Sequence, residues 1–285
     1  MKSTETHRVA IVGAGFAGSL TAAQILRRAT GPLEVVLIER RPPFGVGKAF
    51  ATSLPCHLLN VPAISMSAYP DDPEHLVRWL DSRIKGSKPA SGHELFVPRS
   101  LYGEYVGETL RSAAERSRAR LDGVTGEVVA IETGGDPGRV HLRMRDGSEI
   151  AASFAVLAIG NPPPSDPLAG DLEASRRYAP DPWEEGALDG LTPEGTVVTI
   201  GSNLTMVDVA LALDHRNHRG PILAVSTHGL LPQPHLSRLP PAWTSRIDGH
   251  ASGPRDLMRA MREETNAART QGFEWRSVVD SLRPR

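Results

Sequence analysis

The first apolar run of the chain covers residues 9–12 without a polar interruption, which is typical of a strand buried on both faces. A glycine-rich turn follows, and residues 17–28 then place small and apolar side chains along one helical face. A second strand-like run covers residues 34–38 and leads directly into Glu39. This order predicts a complete βαβ unit at the start of the sequence.

The stretch after this unit is irregular and then helical. Residues 70–73 (Pro-Asp-Asp-Pro) predict a turn that caps a short helix, and residues 102–118 predict a longer amphipathic helix. Three strands are predicted next, over residues 124–132, 140–144 and 148–159, as a small antiparallel β-meander. The first unit therefore gains an additional β layer.

A second βαβ unit is predicted further along the chain. Residues 197–200 form an apolar run typical of a buried strand, residues 205–218 a helix, and residues 222–225 the next strand. Two helices parted by Gly272 are predicted over residues 254–285. The predicted fold class is therefore α/β, with two Rossmann-like βαβ lobes and a three-layer arrangement that includes the meander.

The run Pro162-Pro163-Pro164 breaks all regular structure and predicts the crossing between the two lobes. The predicted domains are residues 1–163, a dinucleotide-binding domain with the meander, and residues 164–285, a second nucleotide-binding-like domain with the last helices.

Composition narrows the class of protein and its partners. Of the 285 residues 40% are hydrophobic and 23% charged, which is typical of a globular protein. The formal net charge of −1 gives no electrostatic reason to expect nucleic acid or an anionic membrane as a partner. The sequence has no apolar run long enough for a membrane span, and residues 1–7 lack the apolar core of a signal peptide, so we expect a cytoplasmic protein.

Cysteine and histidine usage excludes two kinds of chemistry. Cys56 is the one cysteine, so neither an intrachain disulfide nor a Cys-x-x-Cys redox pair can form. His215 and His218 have a spacing that could hold a metal, but Arg216 and Arg219 surround them with positive charge. We therefore predict no metal site.

The first strand-to-helix turn has the G-x-G-x-x-G pattern of dinucleotide-binding proteins, and it reads Gly13-Ala14-Gly15-Phe16-Ala17-Gly18. Gly13 permits the tight turn, Gly15 lets the backbone approach a pyrophosphate, and Gly18 allows close contact between helix and strand. The pyrophosphate is expected at the helix N-terminus, where free N–H groups and the helix dipole favour anions.

Glu39 follows the second strand, 26 positions after Gly13, and is placed to accept hydrogen bonds from an adenosine ribose. Its carboxylate would repel a 2′-phosphate, so this site should reject NADP. FAD is favoured over NAD here, because the unit starts near residue 8, as it does in flavoproteins whose FAD domain comes first. A closing motif at residues 156–160 (Val-Leu-Ala-Ile-Gly) and the second dinucleotide-like unit point the same way.

The second strand-to-helix turn, Gly201-Ser202-Asn203, is a poorer match to the same pattern. Asn203 stands where the second glycine is wanted; asparagine tolerates left-handed backbone, but its side chain would crowd a pyrophosphate. Thr227 occupies the position that corresponds to Glu39, and His228 is the one candidate for a 2′-phosphate. This unit either binds NADPH or NADH or is a bare structural βαβ unit.

With these motifs the chain resembles the bacterial FAD-NAD(P)-binding protein family, two-Rossmann flavoproteins related in layout to NADPH-dependent N-hydroxylating flavin monooxygenases. The residues that carry the resemblance keep their order over nearly the whole chain; they are Val9 to Gly18, Glu39, residues 45–50 (Gly-Val-Gly-Lys-Ala-Phe), residues 57–63 (His-Leu-Leu-Asn-Val-Pro-Ala), Met66-Ser67, residues 70–73, Phe96-Val97-Pro98-Arg99, Tyr102-Gly103 with Tyr105, Pro182-Trp183, residues 204–208 (Leu-Thr-Met-Val-Asp) and residues 229–232 (Gly-Leu-Leu-Pro).

The resemblance implies FAD in the first unit, a pyridine nucleotide (NADPH or NADH) in the second, and the layout of glutathione-reductase-like flavoproteins. Besides the first turn and Glu39, the implied cofactor-binding residues are Arg40, Gly47, Lys48, His57, Asn60, Val61, Arg99, Val128, Ala158 and Gly160. In the second turn they are Gly201, Asn203, Leu204 and Thr205. Asn60, Ser67 and Arg99 are expected near the flavin, although Ser67 fits a local backbone contact better.

Two departures from the family pattern accompany the resemblance. The glycine at the position of Asn203 and the basic pair expected near Thr227 and His228 are missing. Members usually continue past the position of Arg285, so a short member or a fragment is expected.

Three functions remain open from the sequence. The first is an NAD(P)H-dependent FAD oxidoreductase, such as a flavin monooxygenase acting on a small molecule, since without a cysteine pair no electrons can pass to a disulfide. The second is a non-catalytic FAD-binding module, a sensor or partner subunit. The third is an NAD-dependent dehydrogenase that uses the first unit alone. No catalytic residue is predicted, and no pattern indicates an oligomeric state.

Overall fold

The structure is a computed structural model, which describes residues 6–83, 95–135, 138–162, 165–166, 168, 170, 175, 177–184, 186–234, 241–247 and 253–282. The chain forms two compact units, Met1–Pro232 and Gln233–Arg285. The predicted domain boundary at residues 163 and 164 lies outside the described residues, so it stays a prediction.

The nine strands seen in the described residues are β1 (His7–Val12), β2 (Leu33–Glu39), β3 (Arg120–Thr125), β4 (Val128–Thr133), β5 (Val140–Met144), β6 (Glu149–Ala152), β7 (Phe154–Leu157), β8 (Val197–Ile200) and β9 (Ile222–Val225). The helices are α1 (Phe16–Arg28), α2 (Gly47–Phe50), α3 (His75–Arg83), α4 (Arg99–Arg116), α5 (Leu204–His215), α6 (Pro254–Thr270) and α7 (Trp275–Ser281), with a 3₁₀ turn at Ala63–Ser65.

The core of the unit Met1–Pro232 contains a four-stranded parallel sheet in the order β3-β2-β1-β7. Alternate residues of β1 point to opposite faces of this sheet. Val9 and Ile11 pack with helices α1 and α4, whereas Ala10 and Val12 pack with the antiparallel sheet β4-β5-β6. The uninterrupted apolar run of β1 is thus explained by burial on both faces, and the predicted α/β fold with three layers is confirmed.

Two of the predicted meander strands were wrong in extent, because each one divides between two sheets. The run 124–132 is interrupted at Gly126, whose N–H donates to the Glu39 carbonyl at 2.9 Å. The run 148–159 is interrupted at Ser153, whose N–H donates to the Arg8 carbonyl at 2.8 Å. In both places the chain leaves one sheet for the other without a turn signal that a hydrophobic pattern could show.

The second βαβ unit is present as the parallel pair β8 and β9 with α5 between them. The prediction of a buried strand over residues 197–200 was wrong, since Val198 is 58% and Ile200 53% exposed. Helix α5 ends at His215 rather than at residue 218, because Asn217 has a left-handed φ of 60° that ends helical geometry.

The unit Gln233–Arg285 contains α6 and α7, as the sequence predicts. Glu264 of α6 is buried, and its carboxylate accepts hydrogen bonds from Trp243 Nε1 at 3.0 Å, the Arg246 N–H at 2.6 Å and Ser245 Oγ at 2.9 Å. Burial raises the pKa of the Glu264 carboxyl, but these hydrogen bonds outweigh burial and hold the pKa below its usual value.

Within the described residues, no helix combines the length and the apolar composition needed to cross a lipid bilayer.

We expect Gly18→Ala to destabilise the chain by about 1–3 kcal/mol, because a Cβ on Gly18 would lie 1.8 Å from the Gly13 carbonyl oxygen. Helix propensity alone would give the opposite sign, since alanine normally stabilises a helix relative to glycine by about 1 kcal/mol. Urea unfolding measures the change. Gly31→Ala is the matched control, because a Cβ there meets nothing within 4 Å; equal stability of the two variants would contradict the prediction.

We expect Glu264→Gln to lower the free energy of unfolding by about 1–3 kcal/mol at pH 7, because a charged acceptor of three hydrogen bonds is lost. Since the folded pKa is lowered, this stabilisation is present above the pKa of an unfolded glutamate and is lost as pH falls through the folded pKa. Thermal unfolding at pH 7 and pH 4 should therefore show a smaller acid effect in the variant. The exposed neighbour Glu263→Gln is the control; a similar loss in both variants would refute the role of Glu264.

Candidate functional site

The first strand-to-helix turn depends on two glycines. Gly13 has φ of +99° and donates its N–H to the Ile38 carbonyl at 2.8 Å. Gly18 lies so close to Gly13 that no side chain fits between helix α1 and the turn. These are the roles that the sequence pattern assigns to the two positions.

The N-terminus of α1 presents uncapped backbone donors. Gly15 is the N-cap residue, no side chain caps the helix, and the first turn contains no acidic residue. The first N–H groups of a helix have no partner inside it, and they attract anions. Phe16 and Ala17 are exposed, so the surface of this turn is accessible.

Glu39 lies beside this turn at the end of β2. Its Oε2 accepts a hydrogen bond from the Ala14 N–H at 2.8 Å, and its Oε1 accepts one from the Arg41 N–H at 3.1 Å. Each carboxylate oxygen can accept a further hydrogen bond. Glu39 therefore orients the glycine-rich turn and still has acceptor capacity for ribose hydroxyls, while the adjacent Arg40 is exposed.

Gly47 lies against the glycine-rich turn. A Cβ on Gly47 would lie 2.8 Å from Gly15 Cα, and the Gly45 N–H donates to the Ala14 carbonyl at 2.8 Å. The loop around Gly47, a residue that the resemblance implies in cofactor binding, thus contacts the turn through backbone, which the missing side chains of Gly15 and Gly47 permit.

Three aromatic rings pack together at the start of α1. Phe16 lies 5.7 Å from Phe50 and 5.9 Å from Tyr102, measured between ring centroids. The Tyr102 hydroxyl donates to the Met66 carbonyl at 3.1 Å, and burial raises the pKa of Tyr102, so that it stays protonated. Of these three residues only Phe16 was predicted to contact cofactor.

Lys48, His57 and Arg99 contact residues that lie much later in the chain, a placement that the sequence did not predict. Lys48 forms an ion pair with Asp181. Arg99 Nη1 lies 2.8 Å from Asp208 Oδ2, and His57 Nε2 lies 3.0 Å from the Asp208 carbonyl oxygen. All of these contacts lie within the unit Met1–Pro232.

Asp181 and Trp183 contact these same side chains: Asp181 pairs with Lys48, and Trp183 lies beside His57 and Arg99. The Trp183 ring lies 5.7 Å from the His57 ring and 5.8 Å from the Arg99 guanidinium carbon, so it contacts both side chains. Burial raises the pKa of the Asp181 carboxyl, but Lys48 and the Trp183 N–H outweigh it and hold the pKa below its usual value. Asp181 therefore stays ionised.

Other predicted residues have simpler surroundings. Asn60 is exposed and Val61 half-buried, next to each other in a loop, and Val128 begins β4. The Ala158 carbonyl is the group that a Cβ on Gly13 would meet, at 2.3 Å, and Gly160 is exposed with φ of +75°. The contacts of these five residues with a cofactor stay predictions.

Ser67 makes local contacts. Its hydroxyl lies 2.6 Å from the Asp72 carbonyl oxygen and accepts the Tyr69 N–H at 3.1 Å. Ser67 thus makes the local backbone contacts that the sequence favoured over a position near the flavin.

The second strand-to-helix turn repeats the backbone geometry of the first. Gly201 has φ of +100° and donates its N–H to the Val225 carbonyl at 2.8 Å. Asn203 has φ of −94°, so the expected use of left-handed backbone was wrong. Instead its Oδ1 accepts the Leu204 N–H at 2.9 Å and caps α5, because an Asn side chain satisfies a free helix donor without left-handed backbone.

Leu204 and Thr205 are exposed at the start of α5, so this turn also reaches the surface. Ser202 is buried beneath them, with its hydroxyl 2.8 Å from Ser226 Oγ and 2.6 Å from the Leu230 carbonyl oxygen. The second turn thus has a rigid base, but one of its helix donors is occupied by the Asn203 side chain.

Among the described residues, no three His, Cys, Asp or Glu side chains form a cluster able to hold a metal ion.

Fold and turn together define a dinucleotide-binding α/β protein. A sequence model of the FAD-NAD(P)-binding family matches residues 10–162, which is more than half of the chain, and the chain belongs to this family. The predicted family is thereby confirmed. The cofactor class that the sequence predicted, FAD with a nicotinamide nucleotide, is the one by which the family is described.

Uncharacterized proteins of Mycobacterium bovis and Mycobacterium tuberculosis are 24% identical to this chain over 339 positions. The alignments cover 99% of the chain and 63% of each mycobacterial protein, so the chain spans less than two thirds of the length of these relatives.

Similar solved structures include OTEMO in complex with FAD and NADP, with a TM-score of 0.48 and 15% identity over 77% of this chain and 38% of that protein. The ornithine N-hydroxylase of Kutzneria sp. 744 has a TM-score of 0.47 and 17% identity over 93% of this chain and 62% of its own.

The structure adds three residues to those predicted from sequence, namely Asp181, Trp183 and Asp208. Trp183 and Asp208 belong to the runs that carried the family resemblance, which was the available signal. Asp181 precedes them without a motif of its own. Their partners are distant in sequence, so only the tertiary structure pairs them with Lys48 and Arg99.

We expect Asn203→Gly to strengthen binding of NADPH or NADH, because it frees the Leu204 N–H at the start of α5 for a phosphate. Its cost to stability should be only a few tenths of a kcal/mol, since glycine is a fair N-cap residue. Calorimetric titration of both proteins with each nucleotide measures the change. Unaltered or weaker binding in the glycine variant would show that Asn203 does not obstruct this turn.

Proposed function

We propose that this chain is an FAD-dependent, NAD(P)H-using oxidoreductase of the flavin monooxygenase type, which binds FAD at the turn Gly13–Gly18. The observation that carries the proposal is the uncapped N-terminus of α1, with Glu39 hydrogen-bonded to the same turn. The proposed substrate is a small molecule, and the proposed location of the protein is the cytoplasm.

The residues of the first unit fit the two ends of an adenine dinucleotide. The N–H groups at the start of α1 would hold the pyrophosphate, because no side chain or acidic residue competes for them. Glu39 would accept hydrogen bonds from the adenosine ribose while keeping the Ala14 N–H oriented. Gly15 and Gly47 would keep side chains away from the phosphates, since both positions lack a Cβ.

A bound flavin supplies hydride acceptance and electron transfer to oxygen or another acceptor. The protein would contribute position and charge around it. Lys48, His57 and Arg99 are the polar side chains that we place toward the flavin, and their contacts with Asp181 and Asp208 restrict their motion. Cys56 is the one cysteine of the chain, which disfavours a disulfide reductase.

A non-catalytic FAD-binding module is the second candidate. It is favoured by Asn203, whose side chain caps α5 at the position where a pyridine nucleotide would place its phosphates. In such a module the first turn would bind FAD and the second βαβ unit would serve only as structure.

The visible spectrum of the purified full chain separates these functions. The proposed enzyme should be yellow and should bleach without oxygen when NADPH or NADH is added. A yellow protein that neither nucleotide bleaches would favour the non-catalytic module. A colourless protein that takes up no added FAD but binds NAD would favour a dehydrogenase and overturn both flavin proposals.

Glu39→Ala should weaken FAD binding by about 10- to 100-fold, because it removes a charged hydrogen-bond acceptor beside the turn. Glu34→Ala is a matched control on the same strand, where the carboxylate pairs with Arg8 at 2.6 Å. Quenching of FAD fluorescence measures the affinity of each variant. The assignment of Glu39 fails if both variants bind FAD as tightly as the unaltered chain.

A further inference from the structure

Helix α5 is tied to helix α4 by a largely buried ion pair. The Arg99 and Asp208 side chains are 18% and 10% exposed, with Nη1 and Oδ2 2.8 Å apart. The bidentate surface pair Arg145–Glu127 is far more open, at 69% and 36%. Removal of one partner from a buried pair has a larger effect than from an exposed one, so the Arg99–Asp208 contact is a strong restraint on α5.

Each end of this pair lies within the first two turns of a helix. Arg99 is the first residue of α4, which packs on α1 in the core of the first unit. Asp208 lies in the second turn of α5, one helical turn beyond Leu204, where α5 leaves the Gly201–Asn203 turn. A displacement of the N-terminus of α5 therefore moves the carboxylate that holds Arg99.

Two further contacts connect Asp208 to the same loop. His57 Nε2 lies 3.0 Å from the Asp208 carbonyl oxygen, and the Arg99 N–H donates to the His57 carbonyl at 2.8 Å. Arg99 Nε also donates to the Leu58 carbonyl at 3.0 Å. His57, Leu58 and Arg99 thus form one hydrogen-bonded group that is anchored on α5 through Asp208.

We propose that Asp208 is a positioning residue that couples the two nucleotide-binding turns, by holding Arg99 and His57 in one arrangement with α5. This inference rests on the proposed function, in which His57 and Arg99 face the flavin and the second turn receives the pyridine nucleotide. A nucleotide at the N-terminus of α5 and FAD beside Arg99 then favour the same arrangement. On this proposal each strengthens binding of the other, and reciprocal linkage makes the two effects equal.

The test measures FAD release from the FAD-loaded full chain on dilution, by the rise in free-flavin fluorescence, with and without saturating NADP⁺ or NAD⁺. The proposal predicts that one of these nucleotides tightens FAD retention by at least about fivefold, the lower end of usual coupling between sites. In Asp208→Asn this factor should fall to near one, because the variant keeps the size of the side chain and loses its charge.

The matched control is Asp214→Asn, an exposed residue of the same helix, which should keep the full factor. Asp208→Glu, which retains the carboxylate, should restore part of it. If Asp208→Asn folds poorly, the double variant Arg99→Gln with Asp208→Asn removes both buried charges and should again show a factor near one. Circular dichroism and thermal unfolding confirm that each variant is folded.

The outcomes separate this inference from the function on which it rests. A chain that takes up no FAD overturns the proposed function and the coupling with it. A chain that binds FAD, but whose FAD retention neither nucleotide changes, overturns the coupling and leaves FAD binding intact. The same holds if Asp208→Asn or the double variant keeps the full factor, because Asp208 would then be only a structural anchor.

Discussion

The contact between Gly18 and Gly13 is the constraint on which the first βαβ unit, formed by β1, α1 and β2, depends. Helix α1 lies so close to the turn that precedes it that a single methyl group would overlap a backbone carbonyl. This distance brings the start of α1 to the carboxyl ends of the parallel strands. Since β2 pairs with β1 in register from His7 to Val12, the residue after that paired stretch, Glu39, arrives beside Ala14. The short contact thus places the helix donors, and strand register places the carboxylate beside them.

The two strand-to-helix turns have nearly the same backbone and differ in their side chains. Gly13 and Gly201 have φ of +99° and +100°, and each donates its N–H to the last or next-to-last residue of the neighbouring strand at 2.8 Å. At the next key position the first turn has Gly15 and the second has Asn203, which caps its own helix. The fold therefore builds two similar turns, and in the second one the Asn203 side chain occupies a helix donor that has no such side-chain partner in the first.

Two ion pairs connect helices α2 and α4 to later parts of the chain. Lys48 of α2 and Arg99 of α4 pair with carboxylates that lie more than 100 residues later. The Arg99 and Asp208 charges are largely withdrawn from water, and such charges need partners, because desolvation without one costs far more than an exposed pair gains. The Arg99 side chain, which the sequence predicts near the flavin, is thereby oriented by a residue of α5.

The sequence alone determined the elements whose signal is local. Apolar runs and glycine positions were sufficient for β1, α1, β2 and the turn between them, because backbone sterics and burial act on neighbouring residues. Tertiary structure alone decided the rest. It divided the runs around Gly126 and Ser153 between two sheets, exposed Val198 and Ile200, and paired Arg99 with Asp208. These outcomes depend on which distant segments meet, and the pattern of hydrophobic and polar residues along one segment does not contain that information.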